Sequence, residues 1–376
     1  MNGDTTADRA GAIAAREVSK AQALSKVIQL AGRTGLGLAG ERERPMRRIA
    51  VVTPVLDDWG AFAELVRRIA RTLASEADWI EIVAVDDGSA DSFDPSSISL
   101  PEGQHIDAFR ILHLALNLGH QRAIAVGLVT LSGRKDLDSV IVMDSDGEDR
   151  PEDLPLLLAA CRASPDRVIF AHRARRRESA AFKAGYFVYK FLFRALTGRT
   201  ISFGNFSLLP IAAVRRLTHM PELWNNLPAA IIRSRLRFET VSTERGTRYV
   251  GQSKMNVTSL ILHGLSAMSV YTDHIFVRVL LAAGAVSTLS LFAIMAVLAV
   301  RFGTDLAIPG WATTVFGDLV IILFQAVLMI VATGLMVLAG RSNRPTVPIT
   351  DASMFIQNIS ELVMAPPIPL YGANAE

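Results

Sequence analysis

A pair of long uncharged segments in the C-terminal third of the chain constrains the fold more than any other feature. Residues 279–300 and 319–340 each run for 22 positions without Asp, Glu, Lys or Arg. As helices rising about 1.5 Å per residue, each would be about 33 Å long, which is enough to cross a bilayer. The alternative is a pair of buried core helices, but those are usually shorter and carry polar edges. We therefore predict a hairpin of two transmembrane helices within residues 279–340.

The charges that flank these segments predict their orientation. Lys254 and Arg278 precede the first segment, and Arg341 and Arg344 follow the second. Basic residues accumulate on the cytoplasmic side of membrane helices. We therefore predict an integral protein of the inner or plasma membrane, with its N-terminal domain and its C-terminal tail, residues 341–376, in the cytoplasm.

The N-terminal residues 1–44 are rich in alanine and interspersed with basic residues. This pattern fits a basic, amphipathic helix on anionic lipid, and it fits a loosely ordered leader equally well. The net charge of +3 says little by itself. Cys161 is the single cysteine, so an intramolecular disulfide and a multi-cysteine metal site are excluded. That cysteine usage fits a reducing compartment.

Between residues 45 and 254 the chain alternates short apolar runs with helical patterns. The apolar spacing from Phe62 to Leu73 predicts a helix. The predicted strands are Arg48 to Pro54, Ile80 to Val85, Phe109 to Leu114 and Ser139 to Met143. Strands that alternate with helices predict a parallel-rich α/β sheet covered on both faces. We assign residues 45–254 to this catalytic domain and residues 255–278 to an interfacial juxtamembrane segment.

Two aspartates directly follow the predicted strand Ser139 to Met143. Asp144 and Asp146 in an extended segment point to the same side, and Glu148 is near enough to add a third ligand. Such oxygen ligands suit Mg²⁺ or Mn²⁺, which would neutralise charge on a leaving diphosphate. An EF-hand is a poor match because Gly147 comes too early in the loop. A lone Asp-x-Asp is also common in solvated loops, so the motif indicates a metal site only together with its surroundings in the sequence.

A second acidic turn, Asp86-Asp87-Gly88-Ser89-Ala90-Asp91, follows the strand Ile80 to Val85. Ionised aspartates can accept hydrogen bonds from a nucleobase N–H or from ribose hydroxyls. The alternative is an ordinary loop in which Gly and Ser serve turn and capping roles. Because ligands bind at the carboxyl ends of parallel strands, two acidic turns at that edge favour a binding site.

Six segments, in order, resemble the motifs of the family 2 glycosyltransferases. The closer resemblance is to the dolichyl- or bactoprenyl-phosphate glycosyltransferases with C-terminal membrane helices. The segments are Thr53-Pro54-Val55, Asp86-Asp87-Gly88-Ser89 with Asp91, Asn117-Leu118-Gly119-His120-Gln121, Val142 to Glu152, Gly204-Asn205-Phe206-Ser207-Leu208-Leu209 and Arg248 to Lys254. The resemblance covers roughly residues 48–340. It implies a GT-A (Rossmann-like) fold, a nucleotide-sugar donor, a divalent metal ion, inversion at the anomeric carbon and a lipid-phosphate acceptor.

The resemblance also implies roles for individual residues. The implied donor-binding residues are Pro54, Val55, Asp86, Asp87, Asp91 and Asp144. The implied ligands for Mg²⁺ or Mn²⁺ are Asp144, Asp146 and Glu148. The cations implied for the acceptor phosphate are Arg173, Lys183, Arg248 and Lys254. The residues expected to carry catalysis are Asp144, Asp146, Arg173 and Lys183.

The sequence departs from the family pattern at several places. Leu56 to Trp59 stand where Tyr-Asn-Glu-Glu is usual, and Gly147 and Glu148 replace Leu and Gln. Asn205 replaces an Asp, and an amide cannot act as a general base. A phosphate acceptor needs no base, because it is already anionic and requires only positive charge and positioning. The departure at position 205 therefore favours a lipid phosphate as acceptor.

Positive charge is concentrated between His172 and Arg199. This stretch contains eight Lys and Arg residues and a single acidic residue, Glu178. Phe182, Tyr186, Tyr189 and Phe193 recur at helical spacing beside a basic stripe of Lys183, Lys190 and Arg194. The pattern predicts an interfacial amphipathic helix, or an ordinary surface helix with its aromatic face in the core. With two apolar segments in the chain, an anionic membrane is a nearer partner than nucleic acid, which we exclude.

We therefore predict an inverting glycosyltransferase that moves a sugar from a nucleotide-sugar to a polyisoprenyl phosphate at the cytoplasmic membrane face. One alternative is direct transfer to a hydroxyl of a lipid or glycan, which requires a base other than Asn205. The other is a catalytically inactive membrane scaffold, against which the intact Asp144 and Asp146 argue. The sugar, the choice between UDP and GDP, and the oligomeric state, a homo-oligomer included, stay open.

Overall fold

A computed structural model describes residues 48–76, 79–98, 106–173, 180–199, 203–250, 264–304, 310–342 and 344–362. The predicted N-terminal leader, residues 1–44, lies outside the described residues. Lys254 and the first part of the predicted juxtamembrane segment also lie outside them.

Four parallel strands form the centre of an eight-stranded sheet. They are β1 (Arg48–Val55), β2 (Trp79–Asp86), β3 (Ala108–Leu114) and β4 (Ser139–Val142). β1 pairs in parallel with β2 and β4, and β2 pairs in parallel with β3. β1, β2 and β4 are buried along almost their whole length, because helices cover both faces of a parallel sheet. All four predicted strands are therefore confirmed, and their carboxyl ends meet at one edge.

Four further strands extend the sheet on both sides. They are β5 (Val168–Arg173), β6 (Ser207–Pro210), β7 (Phe238–Thr243) and β8 (Ile356–Leu362). The strand order is β7-β5-β6-β4-β1-β2-β3-β8. β6 pairs antiparallel with β4 and β5, and β8 pairs antiparallel with β3. The sheet is therefore mixed, with a parallel centre.

Helices pack on both faces of the sheet and enclose two apolar layers. On one face α1 (Trp59–Leu73) and α3 (Leu154–Ala163) pack on the sheet through buried residues such as Phe62 and Leu157. On the other face α2 (His120–Ser132) and α5 (Ile211–Leu217) pack through residues such as Ile124. The remaining helices before the apolar pair are α4 (Ala180–Thr197) and α6 (Leu227–Arg233). The predicted α/β fold of the GT-A type is confirmed.

The two uncharged segments lie inside two helices of 32 residues each, α7 (Thr272–Gly303) and α8 (Trp311–Ser342). Both helices are long and apolar enough to cross a membrane. Most of their apolar residues are not buried, and Leu289 and Phe324 are 70% and 69% exposed. These helices are therefore not the buried core helices of the alternative interpretation.

The start of α7 contacts α4 and α6. The Arg278 guanidinium donates to the carbonyls of Arg194 and Ala195, which belong to the last turn of α4. Basic side chains satisfy free carbonyls at helix C-termini in this way. The Tyr271 ring packs edge-on against Phe193, and its hydroxyl donates to the Ala229 carbonyl at 3.2 Å. Part of the aromatic face predicted for α4 is thus packed against the chain that leads into α7.

The chain after α8 returns to the sheet. A short helix, α9 (Pro348–Asp351), is followed by β8, which pairs with β3 and covers that edge of the sheet. The Phe355 ring packs 5.8 Å from Trp224, centroid to centroid, and Ala352 is fully buried. The segment predicted to be a separate C-terminal tail thus contributes a strand to the eight-stranded sheet.

Candidate active site

The acidic turn after β4 is tied to the loop that precedes residue 250. The Asp146 Oδ1 atom accepts from the Glu148 backbone N–H at 2.9 Å, and its Oδ2 atom accepts from the Arg248 guanidinium at 2.6 Å. Glu148 pairs with Arg245 at 2.7 Å and lies 3.6 Å from the Arg248 Nε atom. Two carboxylates of the turn therefore converge on one positively charged group.

Gly147 lets this turn fit beneath Tyr249. Its φ of +91° is the left-handed region that glycine adopts without steric cost. A Cβ atom at this position would lie 2.7 Å from the Tyr249 ring. Burial raises the pKa of the Tyr249 hydroxyl to about 12, so the ring is a neutral cover. A side chain larger than that of glycine at position 147 would therefore collide with the Tyr249 ring.

The donor set of this turn fits a hard divalent cation. Asp146 and Glu148 offer carboxylate oxygens, the ligands that Mg²⁺ and Mn²⁺ prefer, and they already converge on the Arg248 charge. Asp144 faces the other way, toward His120. Within the part of the chain that the structure describes, no three His, Cys, Asp or Glu side chains are grouped as a ready-made metal site. The three-ligand set stays a prediction.

Burial changes the electrostatics of Asp146. Loss of solvent raises the pKa of the Asp146 carboxyl above its usual value, and the nearby Asp144 charge adds to this effect. The Glu148 backbone N–H and Arg248 act in the opposite direction. An additional cation beside this carboxylate would stabilise its charged form.

A chain of polar contacts joins the acidic turn to Asn205. The His120 Nε2 atom lies 3.3 Å from Asp144 Oδ1 and 3.0 Å from Asn205 Nδ2. The Gln121 amide donates to Asn205 Oδ1 at 3.1 Å, and its own oxygen accepts from the Leu227 backbone N–H. Burial alone would lower the His120 pKa, but Asp144, with Asp149 and Asp87, raises it above the usual value. Asn205 is thus positioned beside the acidic turn.

The acidic turn after β2 has partners of a different kind. The two Asp87 oxygens accept from the backbone N–H groups of Leu118 and Gly119 at 2.7 and 2.9 Å. Asp86 accepts from the Ser89 backbone N–H at 2.9 Å and lies 3.0 Å from the His113 ring. Burial raises the pKa of Asp87 more than these two N–H groups lower it. The Asp87 carboxylate therefore holds the loop that begins α2.

The predicted donor residues of β1 lie directly beside this turn. Pro54 and Val55 are buried, and the Val55 carbonyl accepts from the Asp87 backbone N–H at 2.9 Å. Asp57 has a φ of +51° and accepts from the Ala90 N–H, which connects the two loops. The structure thus brings the ends of β1 and β2 together, with backbone rather than side chains of Pro54 and Val55 at the contact.

A cleft of about 530 Å³ opens next to the turn after β2. Asp86 and His113 line it from the parallel strands β2 and β3, and Asp91 lines it from the loop after β2. Gln357 and Asn358 line it from β8. The predicted donor residues Asp86 and Asp91 are thus brought to one cavity, whereas Asp87 points into the loop beneath it.

The structure places the predicted acceptor cations at several different positions. Arg173 is the last residue of β5, and Lys183 lies near the start of α4. The side chains of these two residues, and Lys254 as a whole, lie outside what is described. Arg248 contacts Asp146, so in this structure it neutralises the acidic turn.

Sequence reasoning missed several residues of the site. His120 and Gln121 were noted only as part of a family-like segment, although they link Asp144 with Asn205. Arg245 carried no signal, since its role depends on contact with Glu148 97 positions away. Gln357 and Asn358 lie in the predicted C-terminal tail, where no sequence motif indicates a binding role.

Comparisons with known proteins agree with this description. The model of the family described as Glycosyl transferase family 2 matches residues 50–214. Undecaprenyl-phosphate 4-deoxy-4-formamido-L-arabinose transferases of Salmonella choleraesuis (strain SC-B67) and Salmonella newport (strain SL254) are each 30% identical over 158 residues. These matches cover 42% of this chain and 46% of each relative. The match therefore spans less than half of these relatives' length.

Two solved structures show a distant likeness. Glucosyl-3-phosphoglycerate synthase from Mycobacterium tuberculosis, in complex with Mn²⁺, UDP-glucose and phosphoglyceric acid, is 13% identical with a TM-score of 0.45. That likeness covers 62% of this chain and 82% of the synthase. A second mycobacterial protein is 14% identical, with a TM-score of 0.44 and coverage of 62% and 76%. The sequence match therefore carries the comparison: residues 50–214, less than half of the chain, match glycosyl transferase family 2.

Proposed function

We propose that this protein is a membrane-anchored, inverting glycosyltransferase that moves a sugar from a nucleotide-sugar to a polyisoprenyl phosphate. The observation that carries the proposal is the acidic turn of Asp146 and Glu148, faced by Arg248, at the carboxyl edge of a family 2 domain. The exposed apolar pair α7 and α8 would hold that domain next to lipid, and its length and apolar composition support this part of the proposal. The relatives named above act on undecaprenyl phosphate, which supports this class of acceptor.

The donor would bind along the carboxyl edge of the sheet. Its nucleoside would occupy the cleft beside Asp86 and Asp91, and its diphosphate would reach the turn after β4. The ends of β2 and β4 lie two strand spacings apart, about 10 Å, which a nucleoside diphosphate can span. Asp144, Asp146 and Glu148 would hold Mg²⁺ or Mn²⁺. When bound, that ion would neutralise charge on the departing diphosphate.

The chain's own residues would prepare the acceptor for attack. A phosphate oxygen of the acceptor attacks the anomeric carbon from the face opposite the diphosphate, and the bond between that carbon and the diphosphate breaks with its electron pair. No proton has to be removed, which agrees with the amide at Asn205. Arg173, Lys183, Arg248 and Lys254 are the cations proposed to hold the two anions close together.

Helix α4 would lie at the membrane surface. Phe187 and Phe191 are 71% and 65% exposed, and Lys190 and Arg194 are exposed close to them on the same helix. A helix with an exposed apolar and basic surface is typical of an interfacial helix on anionic lipid. The acceptor phosphate, which is held at the membrane by its isoprenoid tail, would therefore meet Lys183 on this helix.

Steady-state kinetics with polyprenyl phosphate and the corresponding polyprenol tests the acceptor. Arg173→Ala and Lys183→Ala should weaken use of polyprenyl phosphate at least tenfold while changing donor binding less than about threefold. Arg237→Ala is the matched control, because Arg237 is adjacent to the opposite end of β5 and pairs with Asp166 on the surface. Asn205→Asp should give no large gain.

A hydroxyl acceptor is the second candidate, and His120 is the observation that favours it. Its ring lies 3.0 Å from the Asn205 amide, where a base would be needed. In that case polyprenol would be used efficiently, Arg173→Ala would have little effect, and Asn205→Asp would raise the rate and add a limb to the pH profile. That combination would overturn the lipid-phosphate proposal and leave a membrane glycosyltransferase.

The proposed orientation has its own test. A membrane-impermeant thiol reagent should label Thr304→Cys, after α7, from the periplasmic or lumenal side. The same reagent should label Asp91→Cys only after the membrane is opened. The native Cys161 is buried, and burial raises its thiol pKa to about 12, so background labelling should be low. Equal labelling of both variants from one side would contradict the two-span topology.

A further inference from the structure

The strand that follows the two apolar helices forms one wall of the cleft beside the turn after β2. We infer that Gln357 and Asn358 of β8 recognise the nucleobase of the donor, so that the chain beyond the apolar helix pair helps to select the nucleotide. This inference rests on the proposed function, since it assigns a base-recognition role within the same donor site.

The register of β8 sets the position of the two amides. Asn358 pairs with His113, and a bulge follows where Leu114 pairs with Ile356, which leaves Gln357 at the irregularity. Because β8 runs antiparallel to β3, its first residues lie at the carboxyl end of the parallel strands. Bulges redirect side chains and are common next to binding sites. The two amides are thereby brought to the same cleft as Asp86.

Several contacts hold this strand against the sheet. Glu361 accepts from Arg110 at 2.8 Å, and the Ser360 hydroxyl lies 3.1 Å from the second ring nitrogen of His113. The same His113 ring contacts Asp86 through its other nitrogen at 3.0 Å. A continuous polar connection therefore runs from β8 through β3 to the acidic turn of β2, and it fixes the wall of the cleft.

The lining of the cleft suits an uncharged, polar ligand group. Among the described residues that line it there is no Lys or Arg, so it offers no cation for a phosphate. Its imidazole, His113, is engaged by Asp86 and Ser360. A nucleoside fits this environment, whereas the diphosphate fits the arginine-bearing turn after β4.

The side chains of Gln357 and Asn358 are available for recognition. Both residues are exposed, and within the described residues no hydrogen bond or ion pair engages either side-chain amide. An amide offers two N–H donors and an accepting oxygen, and Asp91 adds an exposed carboxylate at the same cleft.

The two side-chain amides and the Asp91 carboxylate together complement a base edge in which a carbonyl adjoins an N–H. Uracil and guanine share that edge. Adenine presents a nitrogen lone pair in place of the N–H, and that lone pair would face the Asp91 carboxylate unfavourably. The cleft should therefore prefer uridine or guanosine nucleotides to adenosine nucleotides.

Calorimetric binding of UDP, GDP and ADP to the full chain in detergent micelles with Mg²⁺ or Mn²⁺ tests this inference. The wild type should bind UDP or GDP at least tenfold more tightly than ADP. The double variant Gln357→Ala with Asn358→Ala should bring the preferred nucleotide to within about threefold of ADP. Met354→Ala is the matched control, since this side chain precedes β8, is 77% exposed and does not line the cleft.

A second variant guards against a folding defect. Asn358→Asp keeps the size of the side chain but removes its N–H donors, so it should lower the same preference, with an unchanged thermal midpoint. Retention of the wild-type preference in both variants would overturn the inference and leave the donor proposal intact. Equal wild-type affinities for the three nucleotides would also overturn it. Failure of the wild type to bind any of them would overturn the proposed function as well.

Discussion

The acidic turns after β2 and after β4 are similar in sequence, but they hold their carboxylates in different ways. Asp87 in the first turn is bound by two backbone N–H groups, and Asp86 contacts a backbone N–H and an imidazole. Asp146 and Glu148 in the second turn are each paired with an arginine. The first turn is therefore organised by hydrogen bonds, and the second by opposite charges.

This difference indicates what each turn can bind. A turn whose carboxylates are already satisfied by neutral donors is a rigid polar wall, which suits a nucleoside. A turn whose charge is balanced by guanidinium groups can exchange that partner for a metal ion or bring the arginine to a phosphate. Substitutions in the two turns should therefore have different signatures, the first in stability and the second in turnover.

The largest effect is expected from Asp87→Ala. Only 3% of Asp87 is exposed, and removing its carboxylate leaves the partly buried N–H groups of Leu118 and Gly119 without their acceptor. The free energy of unfolding in detergent should fall by about 2–4 kcal/mol, as for two unsatisfied donors. Asp91→Ala, at an exposed position of the same turn, should change it by less than about 0.5 kcal/mol. Equal stabilities of these two variants would contradict the structural role of Asp87.

Asp146→Asn should have the opposite signature. The amide keeps the shape of the side chain, so the thermal midpoint should stay close to that of the wild type. Turnover should fall about tenfold or more, which corresponds to ~1.4 kcal/mol of barrier, because a charged ligand of the proposed metal ion is lost. Full turnover in the presence of excess chelator would remove the metal role from this turn.

The sequence predicts much of the fold because its patterns are local. β1 and β2 contain apolar runs of four residues, the run in β4 continues into Met143, and α7 and α8 contain uncharged segments long enough to be unmistakable. β8 lacks such a pattern, since Ile356, Ile359 and Leu362 recur every third residue rather than every second. Its strand conformation comes from pairing with β3, about 250 positions earlier, so no local signal could reveal it.

The sequence predicts which residue types form the candidate site, but it does not predict which side chains they contact. The positions of Asp86 and Asp146 after strands followed from the sheet, as did their place at its carboxyl edge. Which of the two adjacent residues Asp86 and Asp87 faces the cleft depends on the loop at Leu118, and this required the structure. The contact of Arg248 with Asp146 likewise joins residues 102 positions apart.

The pH dependence of stability gives a smaller test of the first turn. Burial raises the pKa of Asp87 above its usual value of 3.8, so the folded chain keeps this proton at pH values where the unfolded chain has lost it. The contribution of Asp87 to stability should therefore fall as the pH rises from about 3.8 to the raised pKa, and stay constant above it. Asp87→Asn should lack this slope. The effect is isolated by subtracting the thermal midpoint of Asp87→Asn from that of the wild type at each pH in this range. A difference that does not change with pH would contradict the prediction.

The smallest effect is expected from Arg245→Ala, and it separates the two arginines of the second turn. The Arg245–Glu148 pair is more exposed than the Arg248–Asp146 pair, with 43% against 24% of the arginine side chain accessible. Exposed ion pairs contribute about 0–1 kcal/mol and are screened by salt. Arg245→Ala should therefore change kcat/KM by less than about threefold, and the change should vanish at about 1 M salt. Arg248→Ala should reduce kcat/KM more and keep its effect in salt, because the Arg248–Asp146 pair is the less accessible of the two, mainly on the arginine side. If the two variants behaved alike at every salt concentration, Arg245 and Arg248 would balance the charge of this turn equally, which would contradict the distinction between the two ion pairs.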